Sequence, residues 1–134
     1  MNYSSNKAIY LQIADNICDK VISGEFEPLA RVPSVRELSA AYEVNVNTVM
    51  RSIDYLAANG IIYNQRGIGY FLCENAKEKV LNIKRESFLK GEIRYFFRQI
   101  QLLGIDGEQL QSLYNQFINE TNNQQWNSYS LKLM

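Results

Sequence analysis

A chain of 134 residues with 14 Lys and Arg, 14 Asp and Glu and no histidine carries no net charge, and its 46% apolar content is that of a globular protein. The missing histidine excludes histidine-based acid–base work, a Ser-His-Asp triad and a histidine-ligated zinc site. No apolar run approaches the roughly 18 residues of a membrane span.

The first residues, MNYSSNKAIY, lack the basic and apolar regions of a signal peptide, so a cytoplasmic location is expected. Cys18 and Cys73 stand in no CxxC or metal-ligand spacing and are expected to be reduced and structural. Dividing the chain at Cys73 leaves six Lys and Arg against seven Asp and Glu in the first part and eight against seven in the second. Bulk charge therefore lends no support to nucleic-acid binding, and such a role must rest on where individual arginines and helix ends fall.

Residues 6 to 23 place Ile9, Ile13, Ile17 and Val21 four apart, with Ala14 and Ile22 widening the stripe, which predicts an amphipathic helix. Gly24 is placed to stop it with a left-handed cap. From Pro33 to Asn59 two short helices are expected. Ser34 and Glu37 form a capping box for the first, which ends near Tyr42, and Asn45 can cap the second. Two capped helices so close together outline a helix-turn-helix.

On the second of these helices Val49, Ile53 and Leu56, with Ala57 beside them, are expected to face the core. The opposite side collects Asn47, Arg51, Asp54 and Ala58, flanked by Thr48 and Tyr55 on one side and Met50 on the other. Asn can bond bidentately to adenine and Arg to guanine, while Thr or the helix N-terminus can hold a phosphate. Taken alone, this face reads first as that of an ordinary solvated helix, since polar outer faces are the norm.

Ile61-Ile62-Tyr63 and Gly69-Tyr70-Phe71-Leu72-Cys73 are β-prone runs around a glycine-bearing turn, a hairpin with Arg66 near its tip. Directly after a helix-turn-helix such a hairpin is a wing, able to bring a cation to a minor groove or phosphate pair. By itself it is a surface turn.

Helical patterning returns from Glu74 to Leu103, where Leu81, Phe88, Tyr95 and Leu102 recur at seven and Phe96, Ile100 and Leu103 thicken the far end, until Gly104. A shorter helix follows from about Asp106, its N-cap, to Glu120. Two helices cannot enclose a core, so Leu81, Phe88, Tyr95, Phe96, Ile100 and Leu103 are expected at a two-fold dimer interface, the competing reading being that the pair folds back on the N-terminal part. The polar tail, residues 121–134, is expected to be flexible, with Trp126 and Tyr129 as anchors.

The run IYLQIADNICDKVISGEFEP…RVPSVRELSAAYEVNVNTVMRSIDYLAANGIIYNQRGIGYFL resembles the N-terminal domain of GntR-family bacterial transcription regulators over about residues 8 to 73. The match lies in the order and spacing of five pieces: an IYxQIAxxI helix, an Ile-Ser-Gly exit, PSVREL, an NTV recognition-helix start and a GxGxF wing. The short helical remainder is similar to the small-tail, YtrA-like subfamily.

The resemblance implies a mostly α fold with a small β-hairpin: a winged helix-turn-helix DNA-binding domain (1–73), a two-helix dimerisation domain (74–120) and the tail. It further implies a non-enzymatic, homodimeric repressor that binds double-stranded DNA at an inverted repeat. By position, Arg36, Asn45, Asn47, Thr48, Arg51, Arg66 and Gly67 are the expected DNA-binding residues. No catalytic residue, metal or cofactor is expected, and no polar constellation marks an effector site. An adaptor that binds protein through the same scaffold is the alternative, favoured by the neutral charge.

Three positions depart from the family pattern. Pro28-Leu29 stands where Pro-Gly is usual, so the connecting turn is expected to differ locally. Val46 and Met50 stand where arginine is frequent, which shifts the expected DNA contacts onto Arg36, Arg51, Arg66 and backbone amides.

Overall fold

The computed structural model describes residues 7–122, so Trp126 and Tyr129 lie outside the described residues. It contains helices α1 (Ile9–Ser23), α2 (Val35–Tyr42) and α3 (Val46–Ala58), strands β1 (Ile62–Gln65) and β2 (Gly69–Leu72), and helices α4 (Ala76–Lys90), α5 (Glu92–Leu102) and α6 (Gly107–Thr121). The chain divides into two compact units, the first running to Glu86 and the second starting at Ser87.

In the first unit the local signals act as their chemistry dictates. Gly24 caps α1 at φ 84°, its N–H reaching the Val21 carbonyl. The capping box of α2 is complete: the Glu37 N–H donates to Ser34 Oγ at 3.1 Å and the Ser34 N–H to Glu37 Oε1 at 2.9 Å. The Ser34 backbone N–H, with the Ser34 hydroxyl adding to it, holds the Glu37 carboxyl below its usual pKa of 4.5. Glu43 leaves α2 in a left-handed conformation, φ 55°, and the Ser39 hydroxyl donates to the Val44 carbonyl at 2.5 Å, closing the turn into α3.

The core joins Ile13, Ala14, Ile17 and Val21 of α1 to Leu38 of α2, Val49, Ile53 and Leu56 of α3, and Ile61, Ile62 and Leu72 around the hairpin. Each large aliphatic side chain so buried contributes roughly 1.5–3 kcal/mol relative to exposure. Ala76 and Val80 of α4 belong to the same core. Cys18 is also buried there, and that burial pushes its thiol up to about 11.

One member of this core corrects the periodicity argument. Ala57 is exposed, while Ser52 is fully buried. Its hydroxyl donates to the Tyr10 carbonyl at 2.7 Å, which is how a polar group becomes tolerable at an otherwise apolar contact between α1 and α3.

The strands pair antiparallel with Ile62 opposite Leu72, Tyr63 opposite Phe71 and Gln65 opposite Gly69. Tyr63 and Phe71 stack with ring centres 5.9 Å apart. A third segment lies along β2: the Leu29 N–H donates to Leu72 O and the Val32 N–H to Tyr70 O, both at 2.9 Å, with Arg31 bridged to Phe71. Leu29 itself takes up φ 66°, a conformation glycine adopts freely and a leucine at a cost.

The helical run expected from Glu74 to Leu103 is two helices, so the C-terminal part has three helices where two were expected. The break falls at Gly91, which has φ −114° and ψ −83° and caps α5. Glycine carries the weakest helix propensity of any residue but proline, and the interruption comes between Phe88 and Tyr95, so the seven-residue repeat does not form one continuous stripe. Asp106 caps α6 as expected, accepting from the Gln109 N–H at 2.8 Å. No residue of α5 or α6 is buried.

Among the described residues, no helix is long and apolar enough to cross a membrane.

Candidate nucleic-acid interface

Helix α3 is held from below by Val49, Ser52, Ile53 and Leu56 and presents Asn47, Arg51, Asp54 and Ala58 to solvent. Its start is fixed by Asn45, whose side-chain oxygen accepts from the Asn47 N–H at 2.8 Å. That oxygen is thereby occupied, and Asn45 keeps its side-chain NH2 for other partners. Thr48 is half-buried at the first turn and Val46 is exposed.

Arg36 is exposed near the start of α2. Arg66 and Gly67 form the exposed tip of the hairpin, where the Ile68 N–H closes a turn onto Gln65 O at 2.9 Å and Gly67 supplies φ 79°. The first unit thus carries the expected DNA-binding residues on the α2 start, the outer face of α3 and the wing tip.

Two features of this surface escape sequence patterning. Arg31 runs beside β2, where its Nε would lie 2.9 Å from a Cβ added at Gly69, so bare backbone gives the arginine its place on the wing. Arg51 stacks on Tyr10 of α1, its guanidinium carbon 4.3 Å from the ring centre. Tyr10, Arg51, Asp54 and Tyr55 line a shallow open depression there. Burial raises the Tyr55 phenol above its usual pKa, with Asp15 adding to it.

Charge placement matters more than charge total. Lys7 pairs with Asp15 at 2.5 Å, Lys84 with Asp19 at 3.1 Å and Lys20 with Glu25 at 3.7 Å. Among the described residues none of Arg31, Arg36, Arg51 and Arg66 forms an ion pair. The lysines and acids of α1 are thus engaged with each other or with neighbouring segments, and the arginines stay available for an external anion.

Residues 9–72 match the family model for bacterial regulatory proteins of the gntR family. The HTH-type transcriptional regulator YhcF of Bacillus subtilis is 32% identical over 108 residues, spanning 81% of this chain and 88% of YhcF. The chain belongs to the GntR family of bacterial transcription regulators.

As a GntR-family member it is a DNA-binding transcription regulator and not an enzyme, which answers the adaptor alternative that its neutral charge had left open. Likeness continues beyond the winged helix. The B. subtilis HTH-type transcriptional repressor YtrA is 31% identical over 106 residues, 79% of this chain and 81% of YtrA, in keeping with the small-tail resemblance. A crystal structure of a GntR-family regulator from Bacteroides thetaiotaomicron is 48% identical and superposes with a TM-score of 0.74, covering 85% of this chain and 99% of that one.

Proposed function

We propose that the protein represses transcription as a homodimer on an inverted-repeat operator, each copy laying α3 in a major groove and its hairpin against the neighbouring minor groove. The observation that carries this reading is the capped α3 with Asn47 and Arg51 exposed on one face and Arg51 in no ion pair among the described residues. Arg51 would read a guanine, Asn47 an adenine, and Thr48 with Asn45 would hold the adjacent backbone. Arg36 and Arg66 with Gly67 would contact phosphate and minor groove, joined by Arg31. Repression is inferred from likeness to YtrA.

In this reading the DNA-binding part is residues 1–73 and the dimerising residues lie within 74–120. Phe88, Tyr95, Phe96 and Leu103 are exposed, Leu103 to 71% and Tyr95 to 63%, alongside Phe97 and Leu102. Ile100 is half-buried, and Leu81 is exposed on α4. Aromatic and aliphatic surface on this scale is costly to leave in water, and a self-complementary patch closes as a two-fold dimer.

Selection from random duplexes at low salt should enrich a palindromic motif, and its half-site spacing should be about one helical turn or a multiple of it. Enrichment of non-palindromic sequence, or of none, would overturn the proposal. Sedimentation of the purified chain should give a dimer that Tyr95→Glu with Phe96→Glu converts to monomer, with loss of operator affinity.

A further inference from the structure

We infer that Tyr10 is a positioning residue for base recognition: its ring is a platform that holds the Arg51 guanidinium in reading orientation before DNA arrives. The inference rests on the reading of α3 as the groove-facing helix.

Three observations support it. First, the Arg51 guanidinium carbon lies 4.3 Å from the Tyr10 ring centre, inside the roughly 6 Å range of cation–π attraction. Second, the backbone that carries the ring is tied to α3, because the Tyr10 carbonyl accepts from the fully buried hydroxyl of Ser52, the residue next to Arg51. Third, Arg51 makes no ion pair or hydrogen bond among the described residues, although Asp54 lines the same depression. The guanidinium is therefore held over the ring without being neutralised, and its N–H donors have no partner among the described residues.

The physical consequence concerns entropy. A long, unsupported arginine loses its rotamer freedom when it docks on a base edge, which weakens recognition. An arginine already stacked loses less. The arrangement suits a chain that has valine and methionine at positions 46 and 50, where few other side chains share the task.

The test compares base preference at the half-site position whose discrimination Arg51→Ala erases. Tyr10→Leu should lower discrimination there by at least about threefold, the order that a surface cation–π contact supports, while leaving the salt slope unchanged. Tyr10→Phe, which keeps the ring, should restore it. In an Arg51→Ala background, Tyr10→Leu should have no further effect at that position. If Tyr10→Leu melts below the wild type, Tyr10→Met replaces it.

Discrimination unchanged in the Leu or Met variant, with Arg51→Ala effective, overturns the inference and leaves the groove reading standing. Equal weakening on all sequences by both Leu and Phe would make the hydroxyl a phosphate contact and also overturn it. If the wild-type chain selects no motif, the groove reading itself falls.

Discussion

The Ser52 hydroxyl, fully buried on α3, donates to the backbone carbonyl of Tyr10 on α1 at 2.7 Å. It also lies 3.3 Å from the Thr48 carbonyl one turn back, so it sits between two acceptors in a contact otherwise made of aliphatic side chains. Ser52→Ala should destabilise the protein by about 1–2 kcal/mol, because it leaves the Tyr10 carbonyl without this donor. The measurement is a shift in the urea midpoint at constant m-value. An unchanged midpoint would mean that water replaces the hydroxyl.

Leu29 adopts φ 66° while its N–H is held by the Leu72 carbonyl. A left-handed conformation costs a non-glycine residue roughly 1–2 kcal/mol, and the greater freedom of glycine in the unfolded chain gives back about half of the relief. The side chain is 54% exposed, so little burial is lost with it. Leu29→Gly should therefore stabilise by up to about 1 kcal/mol and Leu29→Ala should not, as thermal denaturation of the two variants would show.

Arg51 and Arg36 should separate specificity from affinity. Arg51→Ala is expected to relax preference at one position of each half-site, at a cost of ~1–3 kcal/mol on the preferred sequence. Arg36→Ala should weaken every sequence alike and reduce the salt slope by about one. Titrations of operator and scrambled duplexes across a range of salt measure both effects.

The α2 capping box should make stability depend on pH in one direction. The folded Glu37 carboxyl titrates below its unfolded value of 4.5, so its contribution is fully present above that value and is lost as pH falls through the folded one. As pH falls below about 4.5 the wild type should lose more stability than Glu37→Gln, which keeps an acceptor but does not titrate. Parallel melting curves for the two chains would contradict this.

What the sequence made legible was local. The capping of α2, α3 and α6, the glycine stop after α1 and the hairpin turn each depend on residues a few positions apart, and all formed as expected. What it concealed was made by distant partners. Ser52 looks polar until the Tyr10 carbonyl arrives over it, the 29–32 segment looks like loop until β2 offers its edge, and Arg51 looks solvated until a ring from α1 lies under it. The Gly91 break was hidden for another reason: apolar spacing ran unbroken across it, and periodicity does not register the backbone freedom of a single glycine.

Gly69 shows how a residue without a side chain can come to look functional. A Cβ there would stand 2.9 Å from Arg31 Nε, and the backbone holds φ 144°. Any replacement would strain the wing and push the arginine off it without altering the charge of the protein. If, as proposed, Arg31 meets DNA, a scan scored by operator binding would mark position 69 as sensitive, although the contact would be made by Arg31.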